Sequence, residues 1–303
     1  MLMVLIWAGN MTAIRVLVTH DVGPVTAAAL RFSLALTAIL GWARLRNERV
    51  RIEFREFVHF VPLVALFVVQ ILLFNVASMY TDSGRVGVIL YTNPFWVMVA
   101  SGFIFSDDRH TVKGVLGSLV AMAGVTAVFW ESFTGAHASL LGDSLVLLSA
   151  LCLAGILVYV RVLMKKGFQP MQILTGQMVG AIPFFIAMAL LFEFPLRFPL
   201  TPVNLAAILY QGLLVGGVAF IIYQQMNRIY RPSQLSSYFF LVPFFAVAYG
   251  AVLLKEPVTP GLVIGMVFIC SGIFLTNTAP GAQPDAATPQ APPAGNNKPD
   301  RPA

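Results

Sequence analysis

Hydrogen-bonding and aromatic side chains lie inside several long apolar stretches of this 303-residue chain. Amide and phenol groups among apolar helices either join the helices by hydrogen bonds or contact a bound molecule. Taken together, these side chains predict a pocket with aromatic walls and neutral hydrogen-bonding groups, which would suit a small amphipathic solute. The candidate pocket residues are Trp7, Asn10, Gln70, Asn75, Tyr91, Asn93, Tyr159, Tyr223 and Tyr238.

Arg31 is the one charged side chain that we expect deep inside an apolar stretch, seven residues after Pro24. At about 1.5 Å per helical residue, it lies roughly 10 Å from the end of its helix. One interpretation is that this long side chain extends to the membrane surface. The other is that Arg31 points inward and pairs with the carboxylate of a bound solute, which makes it a further pocket candidate.

The 13 Asp and Glu residues fall in loops, in the C-terminal tail or near predicted helix ends. None is therefore placed to carry protons at the centre of a membrane, where buried carboxylates commonly couple transport to protons. Facilitated diffusion or exchange is favoured instead. Asp108 and Glu256 precede two predicted helix starts, and we expect them to have a structural role.

Pro94 and Pro243 are predicted to lie inside helices, where a proline removes one backbone donor and disturbs the preceding turn. The carbonyls of Leu90 and Phe239 would then need another partner. Each proline either marks a packing kink or serves as a helix hinge whose freed carbonyl lines a cavity.

Enzyme motifs are missing from the sequence. The four histidines fall in loops or at helix ends, and the chain has neither a His-Glu-x-x-His metal pair nor a Gly-x4-Gly-Lys-Ser/Thr phosphate loop. We therefore expect no catalytic residues, no metal site and no cofactor. Cys152 and Cys270 lie in different predicted helices and are interpreted as small apolar residues.

Composition predicts an all-α membrane protein, because 58% of the residues are hydrophobic and only 11% are charged. A helix of about 17 to 25 apolar residues crosses the hydrocarbon core of a bilayer. Ten such transmembrane helices are predicted, over residues 2–18, 24–43, 57–77, 85–105, 112–130, 142–164, 170–192, 203–225, 233–254 and 260–277.

The two halves of the chain resemble each other at an offset of about 146 residues. Arg15-Val16-Leu17 and Pro24 recur as Arg161-Val162-Leu163 and Pro170. Since each copy contains an odd number of helices, the copies must cross the membrane in opposite directions. We predict a first repeat at 1–131, a second at 142–278, and a disordered Pro/Ala-rich cytoplasmic tail at 279–303.

Lysines and arginines are concentrated in the loops at one side of the predicted bundle, as in Arg44, Arg46, Arg51, Lys165 and Lys166. By the positive-inside rule these loops face the cytoplasm. Ten helices then place both termini in the cytoplasm. The net charge of +6 reflects this bias and gives no reason to expect nucleic acid as a partner.

The two copies resemble the EamA-type repeats of the drug/metabolite transporter superfamily. The resemblance rests on Trp7-Ala8-Gly9-Asn10, a proline in the fourth helix of each copy, an acidic residue just after that helix, and Gly-x6-Gly in the fifth. It implies two inverted five-helix repeats around a central cavity lined by helices 1, 3, 4, 6, 8 and 9. It also implies transport of small metabolites, often amino acids or related compounds and frequently by export.

From these observations we expect a multi-pass secondary transporter of the cytoplasmic (inner) membrane that moves a small organic metabolite by alternating access. A channel or a membrane protein without transport function is the alternative, and an embedded enzyme is less favoured. Pairs of glycines four residues apart permit close helix contacts, either between the two halves or in a homodimer. These pairs are Gly176 and Gly180, Gly212 and Gly216, and Gly261 and Gly265.

Overall fold

The computed structural model describes residues 1–48, 50–104, 112–134, 139–229 and 241–277, and within these ranges it contains helices and no strands. The first half comprises α1 (Leu2–Thr19), α2 (Pro24–Arg46), a 3-10 turn (Glu56–Phe60), α3 (Val61–Tyr80), α4 (Ser83–Leu90), α5 (Asn93–Ile104) and α6 (Val112–Thr134). The second half comprises α7 (Leu140–Lys165), α8 (Pro170–Phe192), α9 (Pro202–Leu209), a π-helical segment (Tyr210–Ala219), α10 (Phe220–Ile229), α11 (Leu241–Leu253) and α12 (Pro260–Asn277).

Seven helical spans in the described residues are long and apolar enough to cross a membrane. They are α1, α2, α3 with its 3-10 turn, α6, α7, α8, and α9 with the π segment. For α1, α2, α7 and α8 the predicted and observed ends agree within three residues. Apolar length therefore located these helices correctly.

The fourth apolar stretch differs from its prediction, because it forms two helices instead of one. The helix α4 ends at Leu90 and α5 begins at Asn93. Pro94 is thus the second residue of α5 and not the mid-helix residue that the sequence predicts. A proline is favourable in a first turn, where its missing N–H would have no helical acceptor. Pro243 is the third residue of α11, and the residues before Leu241 lie outside the described part.

Most of the extensive helix contacts join the first half of the chain to the second. In the first half, α6 packs along α12, α3 along α7, and α4 along α11. The helix α2 packs along both α8 and the π segment, and α1 packs along α11 and the π segment. The two halves therefore pack against each other, and each buried apolar cluster contains residues of both.

The glycine pairs lie at these contacts within the chain. A Cβ added to Gly212 would lie 2.5 Å from Cβ of Leu34, and one added to Gly216 would lie 2.6 Å from Cβ of Ala35. Gly180 approaches Val64 in the same way, and Gly265 approaches the backbone of α6. Small residues here let α2, α3 and α6 come close to helices of the other half.

Candidate functional site

An aromatic group lies where α1 packs against α10. The Trp7 ring is 5.6 Å from the Phe220 ring and 5.4 Å from the Tyr223 ring, measured between centroids. Met3 and Ile6 pack in one apolar cluster with Trp7 and Tyr223. Two of the predicted pocket residues, Trp7 and Tyr223, are thus in contact.

The π segment brings polar groups against the middle of α1. The Tyr210 hydroxyl donates to the Ile6 carbonyl at 2.7 Å, and Gln211 Nε2 donates to the Asn10 carbonyl at 3.4 Å. The side-chain oxygens Asn10 Oδ1 and Gln211 Oε1 are buried and accept no hydrogen bond within the described chain. A π-helical turn is rare and occurs frequently at functional sites. Gln211 was absent from the predicted pocket, although an amide inside an apolar stretch was an available signal.

The break between α4 and α5 lies against α1 and α11. Tyr91 packs on a buried cluster that includes Val4, Ala8 and Val242. Thr92 closes the turn, since its hydroxyl donates to the Ile89 carbonyl at 2.8 Å and accepts from Trp96 Nε1 at 3.2 Å. Asn93, the first residue of α5, is partly buried. Tyr91 and Asn93 therefore flank an interruption in a membrane span, where backbone groups without helical partners occur.

Arg31 is buried and does not extend to the surface. Its side chain is only 5% exposed, and its guanidinium carbon lies 4.4 Å from the centroid of the Phe32 ring. Among the described residues it donates no hydrogen bond and forms no ion pair, and its Nε is buried without an acceptor. The Arg31 side chain is therefore enclosed by the protein.

Three predicted pocket residues form hydrogen bonds between helices. Gln70 donates to the Ser149 hydroxyl at 3.0 Å, Asn75 donates to the Pro24 carbonyl at 2.7 Å, and Tyr159 donates to the His59 carbonyl at 3.0 Å. These contacts join α3 to α7, α3 to α2, and α7 to the 3-10 turn. Tyr238, the remaining candidate, lies outside the described residues.

A second buried arginine, Arg85, was not among the predicted site residues, and it lies near the start of α4. Arg85 is 4% exposed and pairs with the fully buried Asp143 of α7. It also contacts Glu131 at 3.3 Å and donates to the Val128 carbonyl at 2.8 Å. Sequence analysis placed Arg85 at the first residue of a helix, where a charge is normally solvated. In the structure α4 is enclosed by α7, α6 and α11.

Three glutamates cap helices that belong to the other half of the chain. Glu256 accepts hydrogen bonds from the Ser83 amide at 2.9 Å and the Ser83 hydroxyl at 2.7 Å, at the start of α4. Glu131 accepts from the Gly261 amide at 2.7 Å, at the start of α12, and from the Thr259 hydroxyl. Carboxylates are stabilising at helix N-termini, where free amides and the helix dipole favour negative charge.

Glu193 makes the third such contact, with α2. It accepts from the Val25 amide at 2.8 Å and from the Thr26 amide at 2.8 Å. The starts of α2, α4, α7 and α12 all lie at one end of the bundle, which we call the capped end. At this end Glu131, Asp143, Glu193 and Glu256 each join the first half of the chain to the second. The expected structural role of Glu256 is therefore supported by direct contacts.

Several long apolar helices that pack against each other, with a broken helix and buried polar groups between them, define a polytopic membrane protein. The sequence profile of the EamA-like transporter family matches residues 1–130 and 140–278. The chain belongs to this family and is a multi-pass membrane transporter. The resemblance inferred from the repeats is confirmed, and the profile matches twice along the chain.

Relatives with similar length carry transporter names. The chain is 24% identical over 278 residues to the "Uncharacterized transporter YoaV" of Bacillus subtilis, covering 89% of this chain and 92% of the relative. It is 25% identical over 290 residues to the "Probable amino-acid metabolite efflux pump" of Escherichia coli, covering 91% and 92%. A solved structure with 17% identity has a TM-score of 0.64 and covers 90% of this chain, which shows a shared fold.

Proposed function

We propose that this chain is a secondary transporter that moves a small amphipathic metabolite, an amino acid or a related compound, across the inner membrane by alternating access. The observation that carries the proposal is the interrupted fourth span, whose break at Tyr91 and Thr92 lies against α1 and α11. Secondary transporters use discontinuous helices to form sites near the membrane midplane. The relative named as a probable amino-acid metabolite efflux pump supports this substrate class, with export as the direction.

The contacts between helices support two inverted five-helix repeats. In the predicted order of ten, the second, fourth and fifth helices of one half pack on their counterparts, as α2 with α8, α4 with α11 and α6 with α12. The contact of α3 with α7 has a counterpart in the contact of α1 with the π segment. Exchanging the halves leaves this pattern unchanged, as expected for repeats related by an approximate twofold axis.

Charge distribution supports placing the capped end outside the cytoplasm. The opposite end carries the basic residues Arg44, Arg46, Arg51, Lys165 and Lys166, which the positive-inside rule assigns to the cytoplasm. Both termini are then cytoplasmic. In this orientation α4 closes the outside face, because all eight of its residues are buried and carboxylates of the second half hold its first turn.

Counterflow tests this proposal directly. Purified full-length protein in liposomes loaded with unlabelled amino acid should accumulate the labelled amino acid transiently, and the initial rate should saturate with concentration. Protein-free liposomes provide the control. A channel would instead give ohmic single-channel currents in a voltage-clamped bilayer and no counterflow, and that result would reject alternating access.

A further inference from the structure

We propose that Arg31, Asn10 and Gln211 bind the head group of the solute, and that this head group carries a carboxylate next to a hydrogen-bond donor. We call these three residues the head-group site. The inference rests on the proposed transport function and assigns a chemical class to its substrate.

Arg31 is a buried cation whose partner is absent from the described chain. It is 5% exposed and contacts the ring of its neighbour Phe32, but no carboxylate or carbonyl accepts from it. A ring face offsets only part of the cost of removing a guanidinium from water. The fork of N–H groups on an arginine matches the two oxygens of a carboxylate, which makes a carboxylate the fitting ligand.

Arg85 shows what a structural arginine looks like in the same molecule. It is as deeply buried as Arg31, at 4% exposure, but Asp143, Glu131 and the Val128 carbonyl surround it. The buried charge of Arg85 is thus compensated by the fold. The charge of Arg31 has no such compensation among the described residues.

Two buried oxygens supply the complementary acceptors. Gln211 is 2% exposed and uses its amide nitrogen on the Asn10 carbonyl, which leaves its Oε1 without a donor. Asn10 Oδ1 also lacks a donor. An unsatisfied buried acceptor is costly, so these oxygens fit an ammonium, amide or hydroxyl group of a ligand.

Helix packing brings both α1 and α2 against the π segment, which carries Gln211. Arg31 lies on the face of α2 that holds Ala27 and Leu34, which pack in one cluster with Leu17 of α1 and Ile208 of α9. Gln211 follows Ile208 by one helical turn. The next residue, Gly212, is so close to α2 that an added Cβ would lie 3.0 Å from the Arg31 carbonyl oxygen. Gln211 in turn bonds to Asn10.

The depth and the surroundings of this junction fit an apolar amino acid. Gln211 follows Pro202 by nine residues, which is about 13 Å along a helix and near the middle of a bilayer core roughly 30 Å thick. One turn from Asn10, Trp7 begins the aromatic group with Phe220 and Tyr223. A solute with its head group on Arg31 would place an apolar side chain towards these rings.

Three probes of matching size test the proposal on the purified full-length protein. L-Phenylalanine has the carboxylate and the ammonium, 3-phenylpropionate has only the carboxylate, and phenethylamine has only the ammonium. Equilibrium dialysis should give the tightest binding for L-phenylalanine, weaker binding for 3-phenylpropionate and the weakest for phenethylamine. Because Arg31→Gln loses a charge-assisted hydrogen bond, it should bind both carboxylate probes roughly ten- to a hundredfold more weakly.

Further variants separate the two parts of the head group. Arg31→Lys keeps the charge and should lose less affinity than Arg31→Gln. Gln211→Leu should lower the affinity for L-phenylalanine to that for 3-phenylpropionate. The affinity for 3-phenylpropionate should not change. Arg15→Gln is the control, because Arg15 pairs with Asp82 and donates to the Ser78 carbonyl. Its probe affinities should equal those of the wild type.

The proposal is wrong if phenethylamine binds as tightly as L-phenylalanine, if no probe binds, or if Arg31→Gln binds both carboxylates like the wild type. If Arg31→Gln does not fold, the order of affinities in the wild type and the affinities of Arg31→Lys still test the proposal. If amines show counterflow and no carboxylate does, the head-group site is rejected and the transport function stands. Absence of counterflow for every solute would reject the transport function itself.

Discussion

Two deeply buried arginines, Arg31 and Arg85, have opposite surroundings. Arg85 is paired with Asp143, whereas no carboxylate of the described chain faces Arg31. Arg31 was predictable because it interrupts an apolar run. Arg85 was not, because a charge at a predicted helix end is ordinarily solvated, and only the packing of α7 around α4 buries it. A sequence pattern predicts where a residue lies in its own helix, but not which side chains of other helices surround it.

The Arg85 and Asp143 pair predicts a non-additive mutational effect on stability. Removing one partner of a buried ion pair costs about 3–5 kcal/mol, because the other charge stays buried without compensation. Asp143→Leu and Arg85→Met should each lower the thermal unfolding temperature clearly, and the double variant should recover much of the loss. Unfolding in detergent, followed by fluorescence, measures the cycle. Arg197→Gln, at an exposed position of the same end, should change little. Additive losses in the double variant would contradict a coupled pair.

Trp7 predicts a transport defect that a second tryptophan should not share. Its ring contacts Phe220 and Tyr223, so Trp7→Ala removes one wall of the aromatic group. Counterflow of labelled amino acid should fall about fivefold or more, given that each of the two aromatic pairs contributes about 0.5–1.5 kcal/mol. Trp130→Ala is the matched control, because that side chain is 68% exposed. Equal rates for both variants, at equal amounts of folded protein, would remove Trp7 from the cavity.

At the scale of elements, hydrophobic length and helix-start signals predicted the long helices well. Pro24 and Pro170 begin α2 and α8, as proline in a first turn suggests. At Pro94 the apolar residues on both sides predicted one continuous helix, whereas Pro94 lies in the first turn of a new one. The π segment was likewise not predicted, because apolar periodicity does not reveal its extra residue per turn; in the structure its Gly212 and Gly216 pack closely on α2. Where a helix is interrupted depends on the helices that pack against it, so the sequence of that stretch alone does not predict the interruption.

The packing of α4 on α11 predicts opposite effects for two glycine substitutions. A Cβ on Gly87 would lie 2.5 Å from Cβ of Ala246, whereas one on Gly41 would have no neighbour within 4 Å. Gly87→Ala should therefore destabilise the protein by about 1–3 kcal/mol through overpacking. Gly41→Ala should be neutral or slightly stabilising, because alanine favours a helix. Thermal unfolding compares the two, and equal shifts would show that α4 is not tightly packed.

At the scale of the whole molecule, alternating access requires that the capped end open while the opposite end closes. Besides its apolar packing, α4 is held at the capped end by polar contacts with Glu256, Asp143 and Glu131. After α4 the helix is interrupted at Tyr91, which packs on Val4 and Ala8 of α1. In the proposed cycle we therefore expect this short helix to be the unit that closes the outside face.

Weakening the Glu256 cap of α4 should make the helix break more accessible from outside and less accessible from the cytoplasm. In a chain with Cys152 and Cys270 replaced by alanine, Tyr91→Cys reports access to the helix break. A membrane-impermeant thiol reagent added outside right-side-out vesicles should label it several-fold faster when Glu256→Gln is also present. The reason is that a neutral amide holds the first turn of α4 less strongly than a carboxylate does. In inside-out vesicles the same variant should label more slowly, since populations shift between two closed ends.

Glu193→Gln is the matched control for this experiment. Its carboxylate caps a helix start at the same end and also joins the two halves, but the helix is α2 instead of α4. General loosening of the capped end would speed labelling in both variants and from both sides. A gate formed by α4 would respond only to Glu256, and with opposite signs at the two faces. Faster labelling in both kinds of vesicle would therefore assign Glu256 to stability alone and would reject α4 as the outside closure.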